Sequence, residues 1–180
     1  MAAVKEIKEK IEIPNGVEIT IEEKTVHVKD EKDSLSRILS HPRINITAKN
    51  NIVEISCVNS PKRKEKELIG TFRAHINNMI TGVTEGFEYK MKTVFAHFPI
   101  KTSVEGDAFI IQNFLGERAP RTAKILEGVT VETKGENVTV SGVDKEKVGQ
   151  TAANIERATK VKKRDIRVFQ DGVYITSKRG

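Results

Sequence analysis

Tryptophan and cysteine are almost missing from this sequence of 180 residues, which contains no tryptophan and a single cysteine, Cys57. A lone cysteine excludes an intrachain disulfide and a metal site built from several thiolates. Aromatic residues make up only 5% of the chain. Because rings are the platforms on which nucleic-acid bases stack, charge and shape are expected to supply most of any contact with nucleic acid.

Long apolar runs are missing as well. No stretch approaches the roughly 18 apolar residues of a membrane-spanning helix, and the N-terminal segment alternates lysine and glutamate where a signal peptide has an apolar core. Hydrophobic residues make up 37% of the chain and charged residues 31%. We therefore expect a soluble cytoplasmic protein with a large polar surface and no contact with a membrane.

The patterns typical of catalytic and cofactor sites are also absent. No segment matches a phosphate-binding loop, a dinucleotide-binding fingerprint or a nucleophile elbow. Acidic residues such as Glu117 and Asp171 lie near glycines, where turn geometry accounts for them. Four histidines lie in separate segments without the close spacing of metal ligands, namely His27, His41, His75 and His97. The sequence predicts no enzymatic activity, no cofactor and no metal.

A basic C-terminal end is the main feature that the sequence does have. Residues 157–180 contain eight basic and two acidic residues, which equals the formal excess of +6 for the whole chain. Such a cluster favours binding to a polyanion, because each cation that neutralises a phosphate releases condensed counterions. The alternative is a protein-interaction module that uses exposed sheet edges, with the basic tail serving solubility or localisation.

Apolar periodicity in the first half predicts strands followed by a helix. Alternation over residues 11–28 and a hairpin over residues 44–57 predict four strands. Ser60 and Pro61 are expected to be the N-cap and the first position of a helix, and Gly82 the residue that ends it.

The second half repeats this order and then adds the basic segment. A hairpin turns at residues 134–137, and Asp144 is expected to cap the following helix. A second hairpin is predicted from residues 166–169 and 173–176 around an Asp171-Gly172 turn. That hairpin would gather seven cations on one surface as candidate nucleic-acid contacts: Lys160, Lys162, Lys163, Arg164, Arg167, Lys178 and Arg179. The loop 116–121 adds two further candidates, Arg118 and Arg121.

The two halves are similar in sequence. Residues 46–56 match residues 131–141 at an offset of 85, and the following helices match at an offset of 80. We therefore predict an α+β fold of two duplicated domains, 1–82 and 83–180, each an antiparallel β-sheet with an α-helix packed on one face. Their net charges are +2 and +4, and this asymmetry favours the second domain as the one that contacts nucleic acid.

Two segments near the C-terminus resemble a known family. Residues 148–157 (VGQTAANIER) and 163–175 (KRDIRVFQDGVYI) resemble the C-terminal signature of the ribosomal protein L6 family, in its archaeal and eukaryotic branch. Residues 70–79 and 112–116 agree with the same family. The resemblance covers essentially the whole chain.

The resemblance implies a structural protein of the large ribosomal subunit, without enzymatic activity and with two domains that arose by duplication. It further implies binding of large-subunit ribosomal RNA mainly through the C-terminal domain, contact with neighbouring ribosomal proteins, and proximity to the sarcin-ricin loop and to the docking region of translational GTPases. The bacterial branch has a Lys-Gly-Lys motif where residues 162–167 stand here, so its contacts are not transferred. With few aromatics, recognition through the RNA backbone and shape is expected.

Overall fold

The computed structural model describes residues 6–49, 51–57 and 62–179, and the chain divides into two compact units, Met1–Glu85 and Gly86–Gly180. This division lies three residues beyond the boundary predicted at residue 82. Helix α1 (Arg63–Thr84) continues through the buried Gly82. Gly86, with a φ of +72°, is instead the left-handed glycine that follows the helix. The predicted N-cap, Ser60, and Pro61 lie outside the described residues.

In its described part, the first unit has six strands rather than the four that were predicted. They are β1 (Ile7–Glu12), β2 (Glu18–Glu22), β3 (Thr25–Lys29), β4 (Ser34–Ile38), β5 (Ile44–Lys49) and β6 (Ile52–Cys57). A tight turn at Glu23, whose φ is +51°, divides the alternating stretch into β2 and β3. Apolar alternation did not predict β4, because its Ile38 lies on the solvent side of the strand and is 74% exposed.

These strands form two antiparallel sheets, in the orders β1-β6-β5 and β2-β3-β4. β1 and β2 are therefore consecutive in the chain but belong to different sheets. Helix α1 packs against strands of both sheets. Its buried face includes Ile69, Phe72 and Ile76, at the spacing expected for one side of a helix.

The described part of the second unit contains seven strands, a single 3₁₀ turn (Phe114–Gly116) and helix α2 (Lys145–Ala158). The strands are β7 (Phe87–Val94), β8 (Lys101–Glu105), β9 (Ala108–Gln112), β10 (Arg121–Lys124), β11 (Val129–Lys134), β12 (Asn137–Gly142) and β13 (Gly172–Arg179). Their antiparallel sheets have the orders β11-β12-β7-β13 and β10-β9-β8. The Asp144 carboxylate accepts a hydrogen bond from the Glu146 backbone N–H at 2.9 Å, which confirms Asp144 as the N-cap of α2.

The strand orders agree with a duplication. In the first unit β1 pairs with the second strand of the β5–β6 hairpin, and in the second unit β7 pairs in the same way with β12. A helix follows the hairpin in both units. The prediction of a duplicated α+β fold is therefore confirmed, with two sheets in the described part of each unit. The second unit adds β13 to the free edge of β7.

The predicted C-terminal hairpin is wrong. Residues 166–168 form a turn in which the backbone N–H groups of Val168 and Phe169 both donate to the carbonyl oxygen of Asp165. Gly172 to Arg179 pair with β7, from Val94 to Glu88. β7 has eight residues, and the edge that does not pair with β12 is available to β13. Pairing with β7 therefore forms more backbone hydrogen bonds than a hairpin with the short segment 166–169 would.

The core of the second unit lies between α2 and the sheets. Phe87, Phe109, Phe114, Val140 and Ile155 are each at most 2% exposed. In the part of the chain that the structure describes, no helix is long and apolar enough to cross a membrane.

Candidate nucleic-acid interface

Three loops of the second unit meet at one end of the β7–β13 strand pair. They are the β7–β8 loop (residues 95–100), the β9–β10 loop (113–120) and the α2–β13 loop (159–171). The Asn113 side chain donates to the Pro99 carbonyl oxygen at 3.0 Å, which joins the first two loops. The rings of His97 and Phe169 lie 4.8 Å apart between centroids, which joins the first and third. We call this region the loop end of the unit.

Arg121 connects the second and third loops. Its Nη1 donates to the carbonyl oxygens of Ala158, at 2.8 Å, and Lys160, at 3.1 Å, where the C-terminus of α2 leaves carbonyl groups without partners in the helix. Its Nε and Nη2 donate to the Glu117 carboxylate at 2.8 and 2.6 Å. The guanidinium also lies 4.2 Å from the centre of the Phe114 ring. Arg121 therefore holds the loops together, and all three of its nitrogens donate to acceptors within the protein.

Glu117 is the acidic partner in this arrangement. The hydrogen bond from Arg121 lowers the pKa of the Glu117 carboxyl below its ordinary value, and the charges of Arg121 and Arg164 act in the same direction. Glu117 is therefore an ionised partner that balances the charge of Arg121 within the protein.

A buried carboxylate anchors the β7–β8 loop to the start of β13. Asp171 is fully buried, and its Oδ1 lies 3.3 Å from Nδ1 of His97. Within the described residues its Oδ2 has no hydrogen-bond partner. The interpretation of Asp171 as a turn residue is therefore wrong, because it precedes a strand and pairs with a side chain from another loop. Thr159 closes the same loop by accepting a hydrogen bond from the Val173 backbone N–H at 3.0 Å.

The basic residues of the α2–β13 loop point outward from this framework. Lys160, Lys162 and Lys163 are exposed, as is Arg118 on the neighbouring loop. None of these four forms an ion pair with another described residue. Lys163 has a φ of +58°, a left-handed conformation that is uncommon outside glycine. The backbone of the loop is therefore strained at Lys163.

Two arginines of the loop have partners on the protein. Arg164 lies 4.9 Å from the centre of the Phe169 ring, and Arg167 bonds to Asp165 at 3.2 Å. The bond from the Arg167 side chain lowers the pKa of the Asp165 carboxyl. Both cations are exposed, but the charge of Arg167 is balanced locally.

Lys178 and Arg179 do not join this group. They end β13 opposite Tyr89 and Glu88, while the loop end lies at Gly172 opposite Val94. Seven residues of strand at about 3.3 Å each separate the two ends by roughly 20 Å. The predicted surface of seven cations is wrong for this reason. Five free or ring-bound cations lie at the loop end: Lys160, Lys162, Lys163, Arg164 and Arg118.

Sequence reasoning missed the residues that build the framework of the loop end. His97, Phe169 and Asp171 come from distant positions, and only the pairing of β13 with β7 brings them together. A sequence signal was present in the segment from Phe95 to Pro99, which has two phenylalanines and a histidine in a chain poor in rings. The described residues contain no group of three or more side chains suited to hold a metal ion.

Comparison with known proteins gives one consistent result. A family model described as Ribosomal protein L6 matches residues 13–86 and again residues 98–172. The large ribosomal subunit protein uL6 of Methanobrevibacter smithii is 52% identical over 178 residues, which is 99% of each chain. The protein of the same name from Methanococcus vannielii is 53% identical over 174 residues, which is 97% of this chain and 95% of the relative.

Proposed function

The chain belongs to the ribosomal protein L6 family, and on this premise we propose that the loop end of its second unit is the principal contact with large-subunit ribosomal RNA. Membership makes the chain a structural constituent of the large ribosomal subunit with no enzymatic activity of its own. The finer assignment, to a particular unit and to particular side chains, is the proposal. The observation that carries it is the gathering of five cations at one end of the unit.

Charge distribution supports this choice of unit. Residues 86–180 contain 17 basic and 12 acidic residues, whereas residues 1–85 contain 14 and 13. In the first unit the basic residues Arg43, Arg63 and Arg73 are paired with Glu65, Glu67 and Glu9. Cations that lack an acidic partner are those best placed to neutralise phosphates, and in the second unit several of them lie on the adjoining loops of the loop end.

The geometry also ranks the candidate residues. Lys160, Lys162, Lys163, Arg164 and Arg118 come first because they are exposed at the loop end. Arg121 is assigned to positioning, since all three of its nitrogens already donate to acceptors in the protein. Arg167, Lys178 and Arg179 come second, the first because Asp165 balances it and the others because they lie at the far end of β13.

The location within the subunit rests on the family resemblance. We propose that the loop end faces the region of the sarcin-ricin loop, close to where translational GTPases dock, and that neighbouring ribosomal proteins contact the rest of the surface. The resemblance carries this placement, and the cations at the loop end are compatible with it because folded RNA presents closely spaced phosphates.

The test compares two matched pairs of substitutions in the full chain. Lys162→Gln with Lys163→Gln is expected to weaken binding to transcribed large-subunit ribosomal RNA and to reduce the slope of log Kd against log salt by about 1.4–1.8, at roughly 0.7–0.9 per lost phosphate contact. Lys64→Gln with Lys66→Gln removes the same charge from the exposed face of α1 and is expected to leave the slope nearly unchanged. Equal losses from both pairs would contradict the assignment to the loop end.

A further inference from the structure

Exposed apolar side chains lie among the cations of the loop end. Ile166 is 69% exposed and Val168 60%, both on the α2–β13 loop, and Phe98 on the β7–β8 loop is 43% exposed. Phe95, on the same loop as Phe98, is also exposed. The sequence led us to expect recognition by backbone and shape alone, and these side chains are unnecessary for that. These four side chains lie on two loops that the His97 and Phe169 rings join, so they are not singly scattered apolar residues, and such a group normally marks a contact.

The framework described above holds this surface in place. The ring of Phe98 lies over Gly116, so closely that a β-carbon there would be 3.3 Å from Cζ of the ring. Gly116 has a φ of +77°, and Asn113 and Leu115 are also left-handed. His97, which precedes Phe98 in the chain, is fixed by Asp171 and by the Phe169 ring. Arg164 lies over that Phe169 ring. One face of Phe98 is thus covered, and the rest of its ring is open to solvent at a fixed position.

We propose that Phe98, together with Ile166 and Val168 of the α2–β13 loop, contacts unstacked bases of the ribosomal RNA, so that the loop end recognises a looped or bulged nucleotide as well as a phosphate backbone. This inference rests on the proposed function. A ring with one open face is the group on which an unpaired base stacks, and apolar side chains shield the stack from water. Bases within a continuous duplex present no such face.

The surrounding charge favours RNA over a protein as the occupant. Arg164, Lys162, Lys163 and Arg118 lie on the same two loops as the apolar side chains or on the adjacent one, and the nearby carboxylates of Glu117 and Asp165 are each bonded to an arginine. The buried core of a protein–protein interface is normally depleted of charged residues. An exposed ring on a surface that also bears these cations is instead complementary to a nucleotide, which has an apolar base and an anionic phosphate.

The experiment measures the binding of full-length variants to transcribed large-subunit ribosomal RNA of Methanococcus vannielii across a salt series. Phe98→Leu keeps an apolar contact with Gly116 but removes the flat ring. It is expected to raise Kd about tenfold at every salt concentration. The salt slope is expected to stay the same, because no phosphate contact is lost. Ile166→Ser is expected to shift Kd in the same direction.

Ile38→Ser is the matched control, because Ile38 is also an exposed isoleucine but lies on β4 of the first unit. It is expected to bind RNA as the unchanged protein does. Ultraviolet cross-linking of the unchanged protein, followed by peptide mapping, is expected to attach an unpaired base to the β7–β8 loop. If Phe98→Leu fails to fold, Ile166→Ser and the cross-link decide the question, since Ile166 contributes little buried area.

The outcomes separate this inference from the proposed function. If Phe98→Leu and Ile166→Ser bind normally while the Lys162 and Lys163 pair loses affinity, the base contact is overturned and the proposed function stands. The base contact is also overturned if the apolar variants bind RNA normally but fail to join large subunits that lack the protein, because the surface then faces a ribosomal protein. If the lysine pair has no effect either, the proposed function fails.

Discussion

At the scale of single residues, identical side chains in this chain have different roles because their neighbours differ. Arg118 and Arg121 lie three positions apart, on the β9–β10 loop and at the start of β10, yet Arg118 is exposed while Arg121 bonds to Glu117, Ala158 and Lys160. Composition gives both the same weight as candidate RNA contacts. Only the structure shows that one is available to a ligand and the other holds the fold.

Replacing Arg121 tests its positioning role. Arg121→Gln is expected to destabilise the second unit by about 1.5–3 kcal/mol, because the hydrogen bonds of a charged donor to the α2 carbonyl groups are lost. Glu117→Gln, which leaves those carbonyl contacts intact, should cost less. Urea unfolding followed through amide signals of the second unit measures both changes. Equal costs for the two variants would show that the carbonyl contacts add no stability.

The pH dependence of the same pair is a separate prediction. Because Arg121 lowers the pKa of Glu117 in the folded chain, the carboxylate contributes stability above the ordinary glutamate value of 4.5. That contribution is lost as the pH falls through the lowered folded value. The coupling energy in a double-mutant cycle of Arg121→Gln and Glu117→Gln should therefore be constant from neutral pH to about 4.5 and shrink below it. A coupling energy that stays constant below that pH would contradict the ion pair.

Residues also show where prediction from sequence stops. The exposed lysines at positions 160, 162 and 163 could be predicted, since charge and local composition place them on the surface. The roles of His97 and Asp171 could not, because these residues are 74 positions apart in the chain and their contact depends on the pairing of β13 with β7. A histidine and an aspartate next to a glycine have ordinary explanations until that pairing is known.

At the scale of elements, the same hairpin and helix were predicted well in both units, and the connections were not. The hairpin β11–β12 and the Asp144 cap are local features, set by alternation and by a side chain that bonds within three residues. β13 is different, because its partner is β7 rather than its neighbour in sequence. Local propensity favoured a hairpin there, but pairing with the edge of β7 outweighed that preference.

Two glycines in regular elements are expected to respond in opposite ways to alanine. A β-carbon at Gly142 would lie 2.9 Å from the carbonyl oxygen of Gly128 and 3.0 Å from Cγ2 of Val148. Gly142→Ala therefore forces the β12 backbone away from Gly128 and from Val148 on α2. We expect a loss of about 1–3 kcal/mol. At Gly70, within α1, no atom lies within 4 Å of the added carbon apart from its chain neighbours and the nearby backbone of the helix itself. Gly70→Ala should therefore stabilise the first unit by about 0.5–1 kcal/mol.

Unfolding in urea, followed through amide signals of the unit that carries each substitution, measures these changes. Observing each unit separately is necessary, because a chain with two compact units need not unfold in one step. A stabilising effect of Gly142→Ala would show that the β12 backbone is free to move away from Gly128. A loss of stability from Gly70→Ala would indicate an unrecognised contact on the exposed face of α1.

At the scale of the whole chain, duplication produced two units with one architecture and unequal charge. Residues 86–180 have a net charge of +5, from 17 basic and 12 acidic residues, and residues 1–85 a net charge of +1. The second unit also has a strand, β13, that has no counterpart in the strand order of the described first unit. The basic α2–β13 loop is the connection that this added strand requires, so the extra strand and the extra charge come from the same extension.

Because each unit is compact in itself, fragments 1–85 and 86–180 allow the last prediction. Fragment 86–180 is expected to bind large-subunit ribosomal RNA with a log–log salt slope of about 3.5–4.5, from five phosphate contacts at roughly 0.7–0.9 each. Fragment 1–85 should bind weakly and with a shallow slope. Cooperative urea unfolding of each fragment is the control for folding. A steep slope for a folded fragment 1–85, with none for 86–180, would move the RNA contact to the first unit, and net charge would then be the wrong guide to this surface.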